Sequence, residues 1–174
     1  MDFRAGLSRA YNTKWSYINT FTVEFLFSDS MIALANWSQD EIRDINIHIK
    51  SISTPQYTNQ PIEAYIGDKW YSHNGRNEMW RFTVSFRDSD KLRLYRKFLT
   101  MYMEQKDNYF DEVKTGVKLY KDADYADEGS SLVFDFADSM IESVSQVQFS
   151  NETEAQIAEF DVEFKCVNPV IGNV

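Results

Sequence analysis

Apolar and polar residues alternate along residues 155–166. An extended strand there would carry Ala158, Phe160, Val162, Phe164 and Cys166 on one side, and Glu159, Asp161, Glu163 and Lys165 on the other. The same alternation recurs in residues 21–27, 45–49 and 80–86. Because successive side chains of a strand point to opposite faces, this pattern predicts half-buried strands over 20–27, 45–53, 79–87 and 155–166.

The period changes to that of a helix after Asp88. Apolar residues recur there at three- and four-residue spacing, at Leu92, Tyr95, Phe98 or Leu99, and Tyr102. Asp88 to Asp90 supply side-chain oxygens that suit a helix N-terminus. We therefore expect a helix over about 90–106, with its apolar stripe against a sheet and a basic outer side formed by Lys91, Arg93, Arg96 and Lys97.

The remaining segments add shorter strands. A loop from Ser28 to Asp44 includes a candidate strand at Met31–Leu34, and further strands are expected at Val117–Lys121, Leu132–Ala137 and Val144–Phe149. The acidic segment Asp122–Gly129 would join the first two of these three as a hairpin loop. The chain is predicted to form a single domain over 1–174 that is mainly β (α+β): an antiparallel β-sandwich or barrel with one packed α-helix.

Residues 54–78 form a long connection that is rich in both turn-forming and aromatic residues. A loop of this length in a compact domain is usually functional or disordered, and its aromatic content favours function. We interpret it as an extended arm that requires a partner surface, with a β-hairpin turning at Asn74-Gly75. The arm residues singled out are Pro55, Tyr57, Pro61, Ile62, Tyr65, Trp70, Tyr71, His73 and Arg76. Residues 2–18 are expected to form a short helix or a second docking segment.

The net charge of −9 on 174 residues predicts that the surface repels phosphate backbones and does not bind nucleic acid tightly. The chain has no apolar run of membrane-spanning length and no signal-peptide pattern at its N-terminus, which predicts a soluble protein without membrane insertion. A single cysteine excludes an internal disulfide and fits folding in a reducing compartment.

Candidate catalytic and metal-binding residues are few. His48 is placed on the polar face of a strand and His73 in the arm, and neither has further His or Cys residues at zinc-ligand spacing. Cys166 falls on an apolar face and is expected in the core. The segment 122–129 departs from a calcium loop because glycine is its eighth residue and no glutamate is its twelfth. We expect no enzymatic activity, no metal and no cofactor. The basic side of the helix suits a solvated or salt-bridged face, an acidic protein neighbour or nucleic acid.

The order of these elements resembles the tail tube proteins of contractile-tailed bacteriophages, a family related to the inner tubes of contractile injection systems. The resemblance covers nearly the whole chain. It is carried by Arg9-Ala10, Asn19–Phe25, the strand that ends at Pro55, Glu78–Asp88, the helix with Tyr95, Phe98 and Leu99, Val117–Tyr120, and the closing strands to Phe164. Where many members have a Gly-aromatic-Pro turn before the penultimate strand, this chain has Asp138-Ser-Met-Ile141.

The resemblance implies a structural virion protein. Six copies would form a ring with a continuous β-barrel around a lumen, and stacked rings would form the tube through which DNA is ejected without specific binding. Glu159, Asp161, Glu163 and Glu24 would line the lumen, and the arm would reach a neighbouring subunit or ring. The partners implied are further copies of the chain and the tail sheath, baseplate and tape-measure proteins, in a tail assembled in the host cytoplasm.

Two alternatives stay open at this stage. One is a tube-initiating or baseplate-terminal member of the same family. The other is a monomeric β-barrel that binds a ligand among its aromatic residues, although the polar strand faces are unlike the apolar lining expected of a ligand pocket.

Overall fold

The computed structural model describes residues 19–55, 61–66, 69–74, 80–88, 91–105, 108, 110–122, 129–147, 157–167 and 169–172. Its strands are β1 (Phe21–Phe27), β2 (Ile49–Ser53), β3 (Pro61–Ile66), β4 (Lys69–Asn74), β5 (Trp80–Arg87), β6 (Thr115–Lys121), β7 (Ser131–Val144), β8 (Glu159–Cys166) and β9 (Val170–Ile171). Its helices are α1 (Asp29–Leu34), α2 (Gln39–Asp44), a 3-10 helix (Ile45–His48), α3 (Arg93–Glu104) and α4 (Phe110–Val113).

The main sheet is antiparallel and has the strand order β1-β6-β7-β8-β5-β2, with β9 paired to β7. This arrangement confirms the mainly β fold that the alternating segments predicted. The apolar faces of β1, β5 and β8 have the burial pattern of half-buried strands, as expected. The long β7 pairs with β8 through its C-terminal half and with β9 at Phe134 and Asp135.

The sheet curls around an aromatic core. Phe25 of β1 lies 6.1 Å from both Phe86 of β5 and Phe164 of β8, measured between ring centroids, although these strands are well separated in the sheet order. The apolar sides of β1 and of the β5–β8 pair therefore face each other across the core. Phe98 of α3 is fully buried among these rings and also contacts Phe160, so α3 packs on the apolar side of β8 as predicted.

Helix α3 confirms the predicted helix, with bounds two to three residues shorter at each end. The Asp88 side chain accepts hydrogen bonds from the backbone N–H groups of Leu94 and Tyr95 and so satisfies two amides of the first turn. The buried residues are Leu94, Phe98 and Met101, and Tyr95 is half-buried. The buried residues therefore lie on a helix face that is slightly rotated from the predicted apolar stripe. Leu92, the first residue of that predicted stripe, precedes the helix and has a positive φ of 58°.

The strand expected at Met31–Leu34 is wrong, because this segment forms the helix α1. Ser28 caps its N-terminus by accepting a hydrogen bond from the Met31 N–H. Ser38 and Glu41 form a reciprocal capping box at the start of α2. Residues 45–48, predicted as the start of a strand, form the 3-10 helix instead, and β2 begins only at Ile49. His48 therefore lies in a helical turn, where its Nδ1 is 3.0 Å from the Arg87 carbonyl oxygen.

Strand β7 contains the predicted strand Leu132–Ala137 and continues through Asp138-Ser-Met-Ile141 to Val144. The strand expected at Val144–Phe149 is wrong in its described part, because residues 145–147 are not in a strand. The pairing shifts register between Thr115 and Val117 of β6, opposite Ser139 and Phe136, which marks a bulge in place of a turn. The bulge lets one strand bend around the core and pair with β6 and then with β8. Residues 148 and 149 of the predicted strand Val144–Phe149 lie outside the described residues.

The arm contains a β-hairpin, but not the one predicted. Strands β3 and β4 pair from Pro61 opposite Asn74 to Ile66 opposite Lys69. The connection is therefore made by residues 67 and 68, and Asn74 belongs to the pairing strand, so the expected turn at Asn74-Gly75 is wrong. Tyr57, Arg76 and the N-terminal segment 2–18 lie outside the described residues, as do residues 123–128 of the acidic loop.

No helix in the described part of the chain is long and apolar enough to cross a membrane.

Candidate assembly surface

The side of the β2-β5-β8 sheet that faces away from the core is polar throughout. In the β5–β8 register, Arg81 lies opposite Lys165, Thr83 opposite Glu163, Ser85 opposite Asp161 and Arg87 opposite Glu159. Directly opposed residues of an antiparallel pair share a face. These eight residues, with Ser51 and Ser53 of β2, Ser143 of β7, and the flanking Lys50 and Glu142, form what we call the polar face.

The polar face is balanced in charge. Its four carboxylates belong to Glu142, Glu159, Asp161 and Glu163, and its four cations to Lys50, Arg81, Arg87 and Lys165. The sequence of β8 alone indicated an acidic surface. The neutralising cations come mainly from β2 and β5, so only the register between strands reveals them.

Specific ion pairs produce this balance. Arg81 donates from Nε and Nη2 to the two carboxylate oxygens of Glu142, at 2.6 and 3.1 Å. Lys50 and Arg87 both donate to Glu159. The hydrogen bond from Arg81 lowers the pKa of Glu142, and those from Lys50 and Arg87 lower the pKa of Glu159. Both carboxylates therefore stay ionised in mildly acidic solution.

Glu24 is separated from the other three candidate lumen residues. It is exposed on β1, where its carboxylate accepts a hydrogen bond of 3.1 Å from the Tyr120 hydroxyl. Burial of Tyr120 and this bond to Glu24 raise the pKa of the tyrosine. Because the apolar sides of β1 and β8 face each other across the core, Glu24 points away from the polar face. Glu24 therefore lies on a different face of the subunit from Glu159, Asp161 and Glu163.

The β3–β4 hairpin is a second, separate sheet. Among the described residues, its strands pair only with each other. It leaves the main sheet where β2 and β5 end their pairing, at Ser53 opposite Thr83. Of the arm residues named from the sequence, Tyr65 is 58% exposed. Ile62, Trp70, Tyr71 and His73 lie in the paired strands together with Pro61. Pro55 lies at the base of the arm and is half-buried.

The basic side of α3 is partly salt-bridged within the chain. Arg93 and Lys97 both contact the Glu41 carboxylate of α2, and the Lys97 ammonium lies 4.7 Å from the centre of the Trp37 ring. Burial acts to raise the pKa of Glu41, but the hydrogen bonds from Lys97 and Ser38 and the charge of Lys97 outweigh it and lower the pKa from 4.5 to about 2. This cluster fastens α2 to α3.

An open cleft of about 250 Å³ lies beside this cluster, lined by Asp40, Asp44, His48 and Asp88 in addition to its members. Its carboxylates are already engaged: Asp40 and Asp44 contact Arg43, and Asp88 caps α3. In the part of the chain that the structure describes, no group of three or more His, Cys, Asp or Glu residues is arranged to hold a metal ion.

Cys166 is fully buried, in agreement with its predicted place in the core.

No protein-family model matches the chain, and no curated protein matches it by sequence. Its fold, in contrast, matches solved structures along nearly its whole length. A chain of the sheath–tube complex of an extracellular contractile injection system (PVC) in the extended state aligns with a TM-score of 0.62, at 14% identity, over 96% of this chain and 97% of that one.

Two further structures are similar in fold. A chain of the sheath/tube terminator of the PVC system aligns with a TM-score of 0.58 at 13% identity, over 91% of this chain and 97% of that one. A chain of the tube-terminating cap of the anti-feeding prophage aligns with a TM-score of 0.56 at 13% identity, over 91% and 93%. The resemblance inferred from the sequence is confirmed at the level of the fold: the chain has the tail-tube-like fold of contractile injection systems.

Proposed function

We propose that the chain is a structural subunit of the tube of a contractile tail, where copies form hexameric rings that stack into a conduit for DNA ejection. The observation that carries this proposal is the fold match to a chain of a sheath–tube complex over 96% of this chain and 97% of that one. The proposed partners are further copies of the chain and the sheath, baseplate and tape-measure proteins.

The polar face suits the wall of such a conduit. A lining with an excess of cations would hold the phosphate backbone by counterion release, and the balanced face has no such excess. Its paired cations are also engaged by carboxylates on other strands of the sheet. We assign Glu159, Asp161 and Glu163 to the lumen, with the neighbouring Arg81 and Arg87.

The hairpin suits a contact between subunits. An isolated two-stranded hairpin is marginally stable in water and gains stability from packing against a third element. Since β3 and β4 pair only with each other among the described residues, a neighbouring copy is the proposed source of that packing. This role fits the aromatic residues of the arm, which assembly would cover.

Electron microscopy of the purified protein tests the proposal directly. We expect negatively stained samples to contain six-fold rings or tubes, and analytical ultracentrifugation to detect a species of the corresponding mass. A protein that stays monomeric at every accessible concentration would contradict the proposal. Such a result would favour the alternative of a monomeric ligand-binding barrel. The cleft beside Glu41 does not support that alternative, because the charged side chains that line it already pair within the chain.

A second candidate function is that of a tube terminator or of a baseplate ring that initiates the tube. It is favoured by the fold matches to terminator and cap chains, whose TM-scores of 0.58 and 0.56 are close to that of the sheath–tube chain. The two functions differ in how rings stack. A tube subunit polymerises into tubes of unlimited length, whereas a terminator or initiator stops at single rings or short stacks at any concentration.

A further inference from the structure

Charges on the polar face are grouped along the strands, and one group lies where β5 begins and β8 ends. Arg81 lies directly opposite Lys165, and both cations contact the Glu142 carboxylate of β7. Glu142 reaches them because the β7–β8 register shifts between Ile141 and Ser143, and a bulge of this kind re-aims a side chain. Arg81, Lys165 and Glu142, which we call the first end zone, carry two positive charges and one negative charge.

A second group lies at the other end of the same strands. Arg87 of β5 lies opposite Glu159 of β8, and Lys50 of β2 contacts the same carboxylate. Arg87 donates to Oε1 of Glu159 and Lys50 donates to Oε2, so each carboxylate oxygen has its own cation. Lys50, Arg87 and Glu159, which we call the second end zone, again carry two positive charges and one negative charge. Each end of the polar face therefore keeps one positive charge in excess.

The middle of the polar face is acidic instead. Asp161 and Glu163 lie opposite Ser85 and Thr83, which carry no charge. The Ser143 hydroxyl donates to Glu163 at 3.2 Å, but within the described residues neither carboxylate forms an ion pair. Asp161 and Glu163, which we call the central zone, carry two negative charges, and these equal the positive excess of the two end zones. The polar face is therefore neutral as a whole, although none of its three zones is neutral.

The distances between the zones decide which ligands meet them separately. Arg81 and Arg87 are six positions apart on β5. Because a strand rises about 3.3 Å per residue, the end zones lie about 20 Å apart and the central zone lies about 10 Å from each. The Debye length is about 8 Å at physiological ionic strength. A small ion therefore interacts mainly with one zone, whereas a rigid polyanion longer than about 20 Å along the strands meets all three zones at once.

We infer that the polar face selects anions by length: each end zone holds a short anion, whereas a long rigid polyanion gains no net attraction because the central zone repels it. Selection by length is a property of the single subunit. Its consequence for the conduit rests on the proposed function. Strands of a closed barrel tilt by about 35–45° from the barrel axis, so a rod in the lumen crosses all three zones. Duplex DNA then slides without a preferred position, and short anions are retained.

Titration of the full-length subunit with inorganic tripolyphosphate tests the end zones one at a time. We expect saturable shifts of the Arg81 and Arg87 side-chain Nε–H signals in NMR spectra. Glu142→Gln adds a positive charge to the first end zone only, so it should tighten binding several-fold at Arg81 and leave Arg87 unchanged. Glu159→Gln should have the reciprocal effect. The absence of shifts at both arginines, or equal responses of both arginines to either substitution, would overturn the inference.

A DNA duplex of about 12 base pairs, which spans about 40 Å, tests the central zone in assembled tubes. We expect no nuclease-resistant duplex to cosediment with wild-type tubes at low ionic strength. Asp161→Asn combined with Glu163→Gln removes the repulsive zone and should tighten duplex binding by about tenfold or more. The same pair of substitutions should change tripolyphosphate binding at Arg81 only slightly, because the central zone lies about one Debye length away.

Glu24→Gln combined with Asp29→Asn is the matched control, because it removes the same charge from exposed residues outside the polar face. Its duplex binding should equal that of wild type. Duplex held by wild-type tubes as tightly as by the Asp161 and Glu163 variant would overturn the inference. If wild type forms no tubes, the proposed function fails, and the titration of the subunit decides selection by length alone: reciprocal effects at Arg81 and Arg87 support it, and their absence overturns it.

Discussion

One charged residue, Glu41, determines how α2 is attached to α3. Glu41 receives Arg93 and Lys97 of α3 while it also closes the capping box of α2 through the Ser38 N–H. The capping box was readable in the sequence as Ser38-x-x-Glu41, since that spacing is a known helix start. The pairing with α3 was not readable, because only the folded chain brings Glu41 together with Lys97, which is 56 positions away.

The depressed pKa of Glu41 makes the attachment of α2 to α3 sensitive to acid. Because the folded-state pKa of about 2 lies below the ordinary value of 4.5, the stabilisation is present above pH 4.5 and is lost as the pH falls toward 2. Glu41→Gln should lower the stability near neutral pH and flatten its decrease between about pH 4.5 and 2. Urea unfolding at a series of pH values measures both effects.

Asp40→Asn is the matched control for this substitution, because Asp40 precedes Glu41 in α2 but, among the described residues, pairs with the exposed Arg43 and not with α3. Its pH profile should follow that of wild type. A Glu41→Gln profile that also follows wild type would show that the cluster does not contribute to acid stability.

The backbone before α3 carries strain at two neighbouring residues. Lys91 and Leu92 have φ angles of 59° and 58°, a region that side chains with a Cβ disfavour. Lys91 is exposed, so replacing it by glycine relieves strain without loss of packing. We expect Lys91→Gly to raise the free energy of unfolding by about 0.5–1 kcal/mol, after the added entropy of the unfolded chain is subtracted.

Arg96→Gly provides the opposite expectation within the same helix. Arg96 is exposed in the interior of α3, where glycine costs about 1 kcal/mol. Chemical denaturation of the two variants therefore should give changes of opposite sign. Two changes of the same sign would mean that the positive φ angles do not store strain.

At the level of elements, the sequence predicted those structures whose pattern is long and regular. The alternation in 80–86 and 158–166 and the helical period after Asp88 each extend over seven residues or more, and all three predictions are confirmed. The predictions that failed concern short segments. Ile45-Asn-Ile-His-Ile49 alternates like a strand, yet Ile47 is 80% exposed in a 3-10 helix. The alternation there arises from Ile45 in the core, followed by an isoleucine that the fold leaves in solvent.

The sequence failed to predict β7 as one continuous strand for a different reason. Asp138-Ser139 looks like a turn, but Ser139 is buried and its hydroxyl donates to the Phe136 carbonyl, which satisfies the backbone at the bulge. A turn and a bulge use the same small polar residues. Only the pairing of Thr115 with Ser139 distinguishes them, and that pairing depends on the tertiary structure.

The polar face provides a prediction at the level of the assembled tube. Asp161→Lys combined with Glu163→Lys changes the balanced face to a basic one and leaves the paired Glu159 in place. Tubes of this variant should bind short DNA in a salt-dependent manner, and the bound DNA should resist nuclease, because it lies inside the tube. Fluorescent DNA that cosediments with the tubes before and after nuclease treatment measures this.

Glu24→Lys, combined with a lysine at the exposed Asp29, is the matched control on the other side of the core. It adds the same charge to residues of β1 and α1, which lie outside the polar face. DNA bound to this control should be degraded. Nuclease-sensitive DNA on the Asp161 and Glu163 variant would contradict the assignment of the polar face to the lumen.

For the whole molecule, the decisive feature is an element whose strands, among the described residues, pair only with each other. The β3–β4 hairpin leaves the main sheet between β2 and β5, and those two strands pair up to Ser53 opposite Thr83 without it. The sequence predicted a hairpin within this segment, although it misplaced the turn. Replacing residues 56–77 by a short Gly-Ser linker should therefore leave a folded subunit with wild-type-like circular dichroism and a cooperative unfolding transition.

The same deletion should abolish ring closure or stacking, because the packing that stabilises the hairpin is proposed to come from a neighbouring copy. Electron microscopy and sedimentation velocity measure this loss, and replacing residues 123–128 by the same linker controls for loop shortening elsewhere. A deletion variant that assembles like wild type would show that the arm is not a contact between subunits. An insoluble or unfolded product would instead assign the hairpin to the core of its own subunit, against its separation from the main sheet.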